Sequence, residues 1–161
     1  MIRNVQPDDA KRIAHIYNHY IEHTIITFEE VLVSEDDIRK RIAKVSAKRY
    51  PYIVYEEGGE VVGYAYVDNW RERSAYDITL ETSIYLAHDL VGTGIGTTLY
   101  RELIERCKPI GIHSLIGVIS LPNSESQRLH RKLDFTLVGN FRESGKKFDR
   151  LIDVEFWQLM L

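Results

Sequence analysis

The 161-residue chain carries 21 basic and 24 acidic residues for a net charge of −3, with 44% hydrophobic residues and one cysteine. Interspersed charges without a basic arm give no field for nucleic acid, and no apolar run reaches the length of a membrane span. The start, Met1 to Asp9, lacks the apolar core of a signal peptide, and Cys107 has no partner for an internal disulfide.

A length of 161 residues suits one domain spanning 1–161, and the setting expected is a reducing cytoplasm. Ile2 to Val5 reads as a short strand. Pro7-Asp8 opens a helix whose Ile13, Ile16, Tyr17, Tyr20 and Ile21 share a face. Ser34, with Asp37 three residues on, marks a second helix carrying Ile38, Ile42 and Val45. Tyr52–Tyr55 and Val61–Val67 are β-rich runs around Glu57-Gly58-Gly59-Glu60, a hairpin signal. A third strand covers about Ile78 to Leu86. Ile95, Leu99, Leu103 and Cys107 then recur every fourth residue, one stripe of a helix that buries the cysteine. Leu115 to Ile119 reads as a buried strand, and Ser124 with Gln127 has capping-box spacing for a last helix. Thr136–Phe141 and Val154–Leu161 complete a mixed α/β chain without repeats or linkers.

The most informative stretch is Val91-Gly92-Thr93-Gly94-Ile95-Gly96-Thr97, between a strand and a helix. Glycines at such a junction let the backbone turn and leave its N–H groups uncovered. The helix start adds unpaired donors and the positive end of the dipole, a cradle for phosphate. A dinucleotide fingerprint requires a third glycine at position 97 or 99, where Thr97 and Leu99 stand. No Gly-Lys-Ser/Thr triplet occurs, which removes the P-loop. His15, His19 and His23 recur at a spacing that can hold a metal on a helix, but they face away from the apolar stripe and no further ligands join them, so no metal is expected.

The order of elements resembles the GNAT acetyltransferase family, and more closely its phosphinothricin N-acetyltransferase branch, over nearly the whole chain. The matching segments are Ile16–Glu22, Tyr50-Pro51, Gly59–Ala65, Glu81–Tyr85, Leu121-Pro122-Asn123, Leu129–Leu133 and Phe156–Leu159. The resemblance implies a central, mostly antiparallel sheet flanked by helices, with acetyl-CoA as co-substrate. It places the pyrophosphate on Gly92, Thr93, Gly94, Ile95, Gly96 and Thr97. The pantetheine arm would pair along Ile84, Tyr85 and Leu86 and meet Asn123 and Ser126, and one strand N–H would steady the thioester oxyanion. Glu81 matches the general base, and His130 stands where many relatives have a tyrosine, able to give or take a proton. Arg71, Arg73, Tyr76, Phe28 and Asn18 are the implied acceptor-side residues, the arginines as forks for anionic groups. Arg128, Arg131 and Lys132 are within the helix that would face the CoA 3′-phosphate.

The family pattern is broken twice. Val91 replaces the usual Arg or Gln before the glycines, leaving only the backbone cradle, and Asp134 replaces the glycine after the last helix, a position aspartate tolerates. The implied activity is acetyl transfer from acetyl-CoA to a small amino-acid-like amine such as phosphinothricin, methionine sulfoximine or methionine sulfone, by direct attack in a ternary complex, a chemistry that also confers herbicide resistance. Acetylation of protein N-termini or polyamines, and a non-catalytic acyl-CoA sensor, are the alternatives. Relatives imply a homodimer, with Phe156-Trp157 as apolar surface for it.

Overall fold

A computed structural model describes residues 1–161. Seven strands form one sheet in the order β1-β2-β3-β4-β5-β7-β6, comprising β1 (Ile2–Asn4), β2 (Tyr52–Glu57), β3 (Glu60–Asn69), β4 (Thr79–Leu86), β5 (Ser114–Ser120), β6 (Thr136–Lys147) and β7 (Arg150–Met160). Every neighbouring pair is antiparallel except β4 with β5. Helices α1 (Ala10–His23) and α2 (Glu35–Ala47) cover one face, and α3 (Ile95–Cys107) and α4 (Ser124–Lys132) the other.

The two faces hold separate cores, as an α/β sheet covered on both sides requires. Ile13, Ile16, Tyr17, Tyr20 and Ile21 of α1 are all buried against Ile38, Ile42 and Val45 of α2 and the sheet residues Tyr52, Val54 and Tyr64. On the opposite face Leu99, Leu103 and Cys107 of α3 are fully buried against Ile53, Ala65, Leu80 and Leu115. Burial also pushes the Cys107 thiol up to about 12, so it stays protonated. The Pro7-Asp8 signal becomes a short 3₁₀ turn, Pro7–Asp9, before α1 begins at Ala10.

Three sequence expectations are corrected. The Ser124/Gln127 capping box does not form: Asn123 is the cap, its side chain accepting from the Ser126 N–H at 3.1 Å, while Gln127 donates to Glu155 at 2.9 Å. The last strands are longer than the apolar pattern suggested, because β6 and β7 continue as a hairpin to the turn at Phe148-Asp149. Trp157 is 2% exposed and belongs to the core; apolar side chains left outside on this hairpin include Leu137, Val138, Phe141 and Leu151. Asp134 does adopt the left-handed conformation expected of it, with φ of 64°.

The capping box read at Ser34 is present: Ser34 Oγ accepts from the Asp37 N–H at 3.1 Å, and the Asp37 carboxylate accepts from the Ser34 N–H at 2.8 Å. Ser34→Ala removes half of that exchange and is expected to cost about 1 kcal/mol. Thermal unfolding should show Tm lower by about 2–4 °C.

Candidate active site

The site begins where β4 and β5 part. The two strands pair in parallel from Thr79/Ser114 to Thr82/Gly117 and no further. Beyond that point β4 runs on to Leu86 and β5 to Ser120 with no strand between them. The gap opens into a cavity of about 310 Å³, lined among others by Glu81, Ser83, Tyr85, Tyr66, Phe28 and His130. Ile84, Tyr85, Asn123 and Ser126 line both this cavity and a neighbouring groove of about 450 Å³, which continues to Gly92, Gly94, Gly96 and Thr97. One continuous channel therefore joins the glycine turn to Glu81.

At the groove end, Gly94 is the N-cap of α3 with φ of 90°, and Gly92 has φ of 86°. A Cβ at either position would meet open space, so only the backbone conformation demands glycine there. The first helical bond runs from Thr98 N–H to the Gly94 carbonyl at 3.2 Å, so the N–H groups of Ile95, Gly96 and Thr97 have no acceptor within the helix. Lys132 and Arg128 of α4 line the same groove.

Alternation along β4 sends Glu81 and Thr82 to opposite faces. Glu81 lies beside Asp68 in the β3–β4 register, on the face covered by α1 and α2. Desolvation, and secondarily the Asp68 carboxylate, hold its pKa above the ordinary carboxylate value. Asp68 itself is held low despite burial by Lys48, which hydrogen-bonds it, with Lys44 at 3.5 Å. Glu81 makes no comparable ion pair.

Thr82 points the other way, to a buried chain of hydrogen bonds. The Thr82 hydroxyl lies 2.5 Å from Tyr100 Oη, and Tyr100 Oη lies 3.1 Å from His130 Nε2. His130 Nδ1 lies 2.8 Å from the Ser126 carbonyl, which has no proton to give, so Nδ1–H donates and Nε2 accepts from Tyr100. Burial pushes His130 down to about 4, leaving it neutral near pH 7. The imidazole rests on β5 at Gly117, where a Cβ would fall 2.2 Å from Nε2.

A family model described as an acetyltransferase (GNAT) domain matches residues 2–156. The chain belongs to the GNAT acetyltransferase family. It is 39% identical over 98% of its length to a phosphinothricin N-acetyltransferase of Alcaligenes faecalis, covering 80% of that protein. It is 35% identical over 99% of its length to the L-methionine sulfoximine/L-methionine sulfone acetyltransferase of Salmonella typhimurium, covering 94% of it. Among solved structures, a ribosomal-protein-alanine N-acetyltransferase from Brucella melitensis superposes with a TM-score of 0.98 at 34% identity, covering 100% of this chain and 99% of that one. A GNAT phosphinothricin acetyltransferase from Sinorhizobium meliloti, solved with acetyl-CoA, gives 0.97 at 36% identity, covering 100% and 88%.

As a GNAT enzyme the protein uses acetyl-CoA, and the channel suits that molecule. Uncovered N–H donors at the start of α3 meet a diphosphate, Arg128 and Lys132 add positive charge, and the unpaired edge of β4 offers backbone to an amide-bearing arm. Gly94→Ala places a side chain on a left-handed residue, at a cost of about 1–2 kcal/mol. Calorimetric titration should show acetyl-CoA binding weakened about tenfold, with α3 otherwise intact by circular dichroism.

Of the residues expected from the sequence, Glu81, His130, Ile84, Tyr85, Asn123, Ser126 and Phe28 line the central cavity, and Leu86, Gly92, Gly94, Gly96 and Thr97 the groove. Thr93 and Ile95 are in the turn but outside the lining. Asn18 is outside both, its side chain exchanging two 2.9 Å hydrogen bonds with the backbone of Val33. Arg71, Arg73 and Tyr76 lie in the exposed β3–β4 loop, outside the cavity. That loop is tied to the rim: Trp70 packs on Phe156, and Phe156 pairs with the cavity residue Val118. Arg131 turns away, its guanidinium 5.1 Å from the Trp157 ring.

Thr82, Tyr100 and Gly117 were missed from the sequence. Gly117, a glycine between the β-branched Ile116 and Val118, was the one available signal, since a glycine inside a strand marks a close approach.

Proposed function

We propose that this enzyme acetylates the α-amino group of small amino acids of the phosphinothricin and methionine sulfoximine or sulfone kind, by direct attack while both substrates are bound. The observation carrying this reading is a part-buried carboxylate, Glu81, of raised pKa and without an ion-pair partner, in a cavity that opens onto the glycine groove. The names of the relatives point the same way.

Acetyl-CoA, when bound, supplies an acyl group activated as a thioester. The chain's own part is to hold the amine, remove its proton and keep water out. Glu81 takes the amine proton, and its raised pKa brings it nearer to the pH at which it must both accept and release one. The cavity contains no lysine or arginine, and aromatic walls such as Tyr66, Tyr85 and Phe28 suit the uncharged part of the acceptor. Anionic ends of the acceptor would then lie outside the cavity, toward the β3–β4 loop that carries Arg71 and Arg73. His130, neutral and without a proton on Nε2, is no acid toward the channel near pH 7. It fixes the first turn of α4, and with it Asn123 and Ser126.

N-terminal acetylation of a protein is a second reading, favoured by the name of the Brucella neighbour. A thiol-release assay with phosphinothricin, methionine sulfone, an Ala-initiated peptide and spermidine separates the readings. Turnover only with the peptide or the polyamine rejects the amino-acid assignment, and turnover with none leaves an acyl-CoA sensor. We also assign a homodimer in the cytoplasm, with Leu137, Val138 and Phe141 as its apolar surface; sedimentation measures the mass.

Glu81→Gln should lower kcat about 10²–10⁴-fold. A folded-state pKa above the unfolded value contributes stability in acid that is lost as pH rises through it. The glutamine variant escapes that loss, so its Tm relative to the native enzyme should be higher at pH 8 than in acid. Activity of the native enzyme falls as pH drops through the Glu81 pKa. Asp68→Asn removes the like charge beside it and should move that acid limb to lower pH in a kcat/KM profile.

A further inference from the structure

The segment between α1 and α2 crosses the open end of the cavity and supplies Ile26, Thr27 and Phe28 to its lining. Its position is dictated by residues far away in sequence. Ser120, at the end of β5, donates to the Ile25 carbonyl at 2.6 Å. Lys147, near the end of β6, donates to the Thr27 carbonyl at 2.8 Å. The Phe28 ring lies over Gly145 of β6 so closely that a Cβ there would fall 2.4 Å from two ring carbons.

Lys147 is 1% exposed, which lysines rarely are without a partner, and the Thr27 carbonyl is its hydrogen-bond acceptor. Holding an amine there costs desolvation, which also lowers its pKa. A shift in strand register brings these residues to the segment: Phe141 pairs with Val154, but Gly145 pairs with Ile152, so two extra residues of β6 bulge out between them. Glu143, with φ of 51°, lies in that bulge, and its N–H donates to Asp153 at 2.8 Å. Val154 itself lines the cavity.

We propose that Gly145 and Lys147 are positioning residues that set the depth of the acceptor cavity: Lys147 holds Thr27, Gly145 makes room for the Phe28 ring, and together they decide how long an acceptor fits above Glu81. This rests on the reading of the cavity as the acceptor site. A side chain at 145 displaces the ring away from β6 and into the cavity.

The test is steady-state kinetics on a series of amino-acid acceptors of increasing side-chain length, with acetyl-CoA binding measured separately by calorimetry. Gly145→Ala should raise KM for the longest acceptor relative to the shortest by about tenfold, the scale on which a pocket discriminates a methylene. Acetyl-CoA affinity should stay where it was. In a Phe28→Ala background the same substitution should no longer change that ratio. Lys147→Met should raise acceptor KM about tenfold, as loss of a charged hydrogen bond predicts, again without weakening acetyl-CoA. Ratios that do not move, or that move equally with and without Phe28, overturn the proposal, and this pair decides it even if Lys147→Met fails to fold. If Phe28→Ala alone leaves every acceptor KM unchanged, the assignment of the cavity as acceptor site is what fails.

Discussion

One constraint organises this molecule: two parallel strands that stop pairing halfway. β4 and β5 share a ladder only up to Thr82 and Gly117, and everything functional is arranged around the wedge beyond. A complete sheet there would satisfy more backbone groups, but it would leave no opening between the two layers of helices. The unpaired stretch of β4 is stable because β3 holds its other edge over the full length from Gly63 to Asn69. The antiparallel β5–β7 ladder does the same for β5. A break that would weaken a lone pair of strands thus sits between two intact ladders.

The wedge also explains how residues on opposite faces share one cavity. Glu81 belongs to the α1/α2 side and the Thr82–Tyr100–His130 chain to the α3/α4 side, yet both border the opening because the sheet is missing between them. The two sides differ electrostatically. Glu81 and Asp68 crowd like charges on one side, with Lys48 and Lys44 steadying only Asp68. The other side holds neutral groups, each engaged by a neighbour, around an imidazole that burial keeps uncharged. The raised-pKa carboxylate and the uncharged imidazole thus lie on different faces of the sheet.

Much of the fold was legible because local signals agreed with it. The α1 stripe, the Ser34 capping box, the Gly58-Gly59 hairpin and the every-fourth-residue pattern of α3 were all found where periodicity and turn chemistry put them. The glycine turn ahead of α3 and the place of Glu81 on β4 were legible too, through backbone chemistry and family resemblance respectively. What escaped were facts of long-range packing. Asn123, a helix-start residue by type, does cap α4, but the Ser124/Gln127 exchange is lost because Gln127 is drawn to Glu155, 28 residues away. Trp157 looked like surface beside the polar C-terminal residues, but the strand's alternation turns it inward, where its indole N–H donates to Glu155 at 2.9 Å. No local pattern reveals that Gly145 faces Phe28, or that Lys147 reaches Thr27 across 120 positions.

The deep placement of Cys107 has a chemical corollary. Each turnover of an acetyl-CoA-dependent enzyme liberates a free thiol in the channel, and thiols exchange with disulfides through the thiolate form. The sole sulfhydryl of this chain lies inside the α3 core with its proton held up to about 12. The disulfide that coenzyme A forms under oxidising conditions therefore finds no accessible thiolate on this chain with which to exchange.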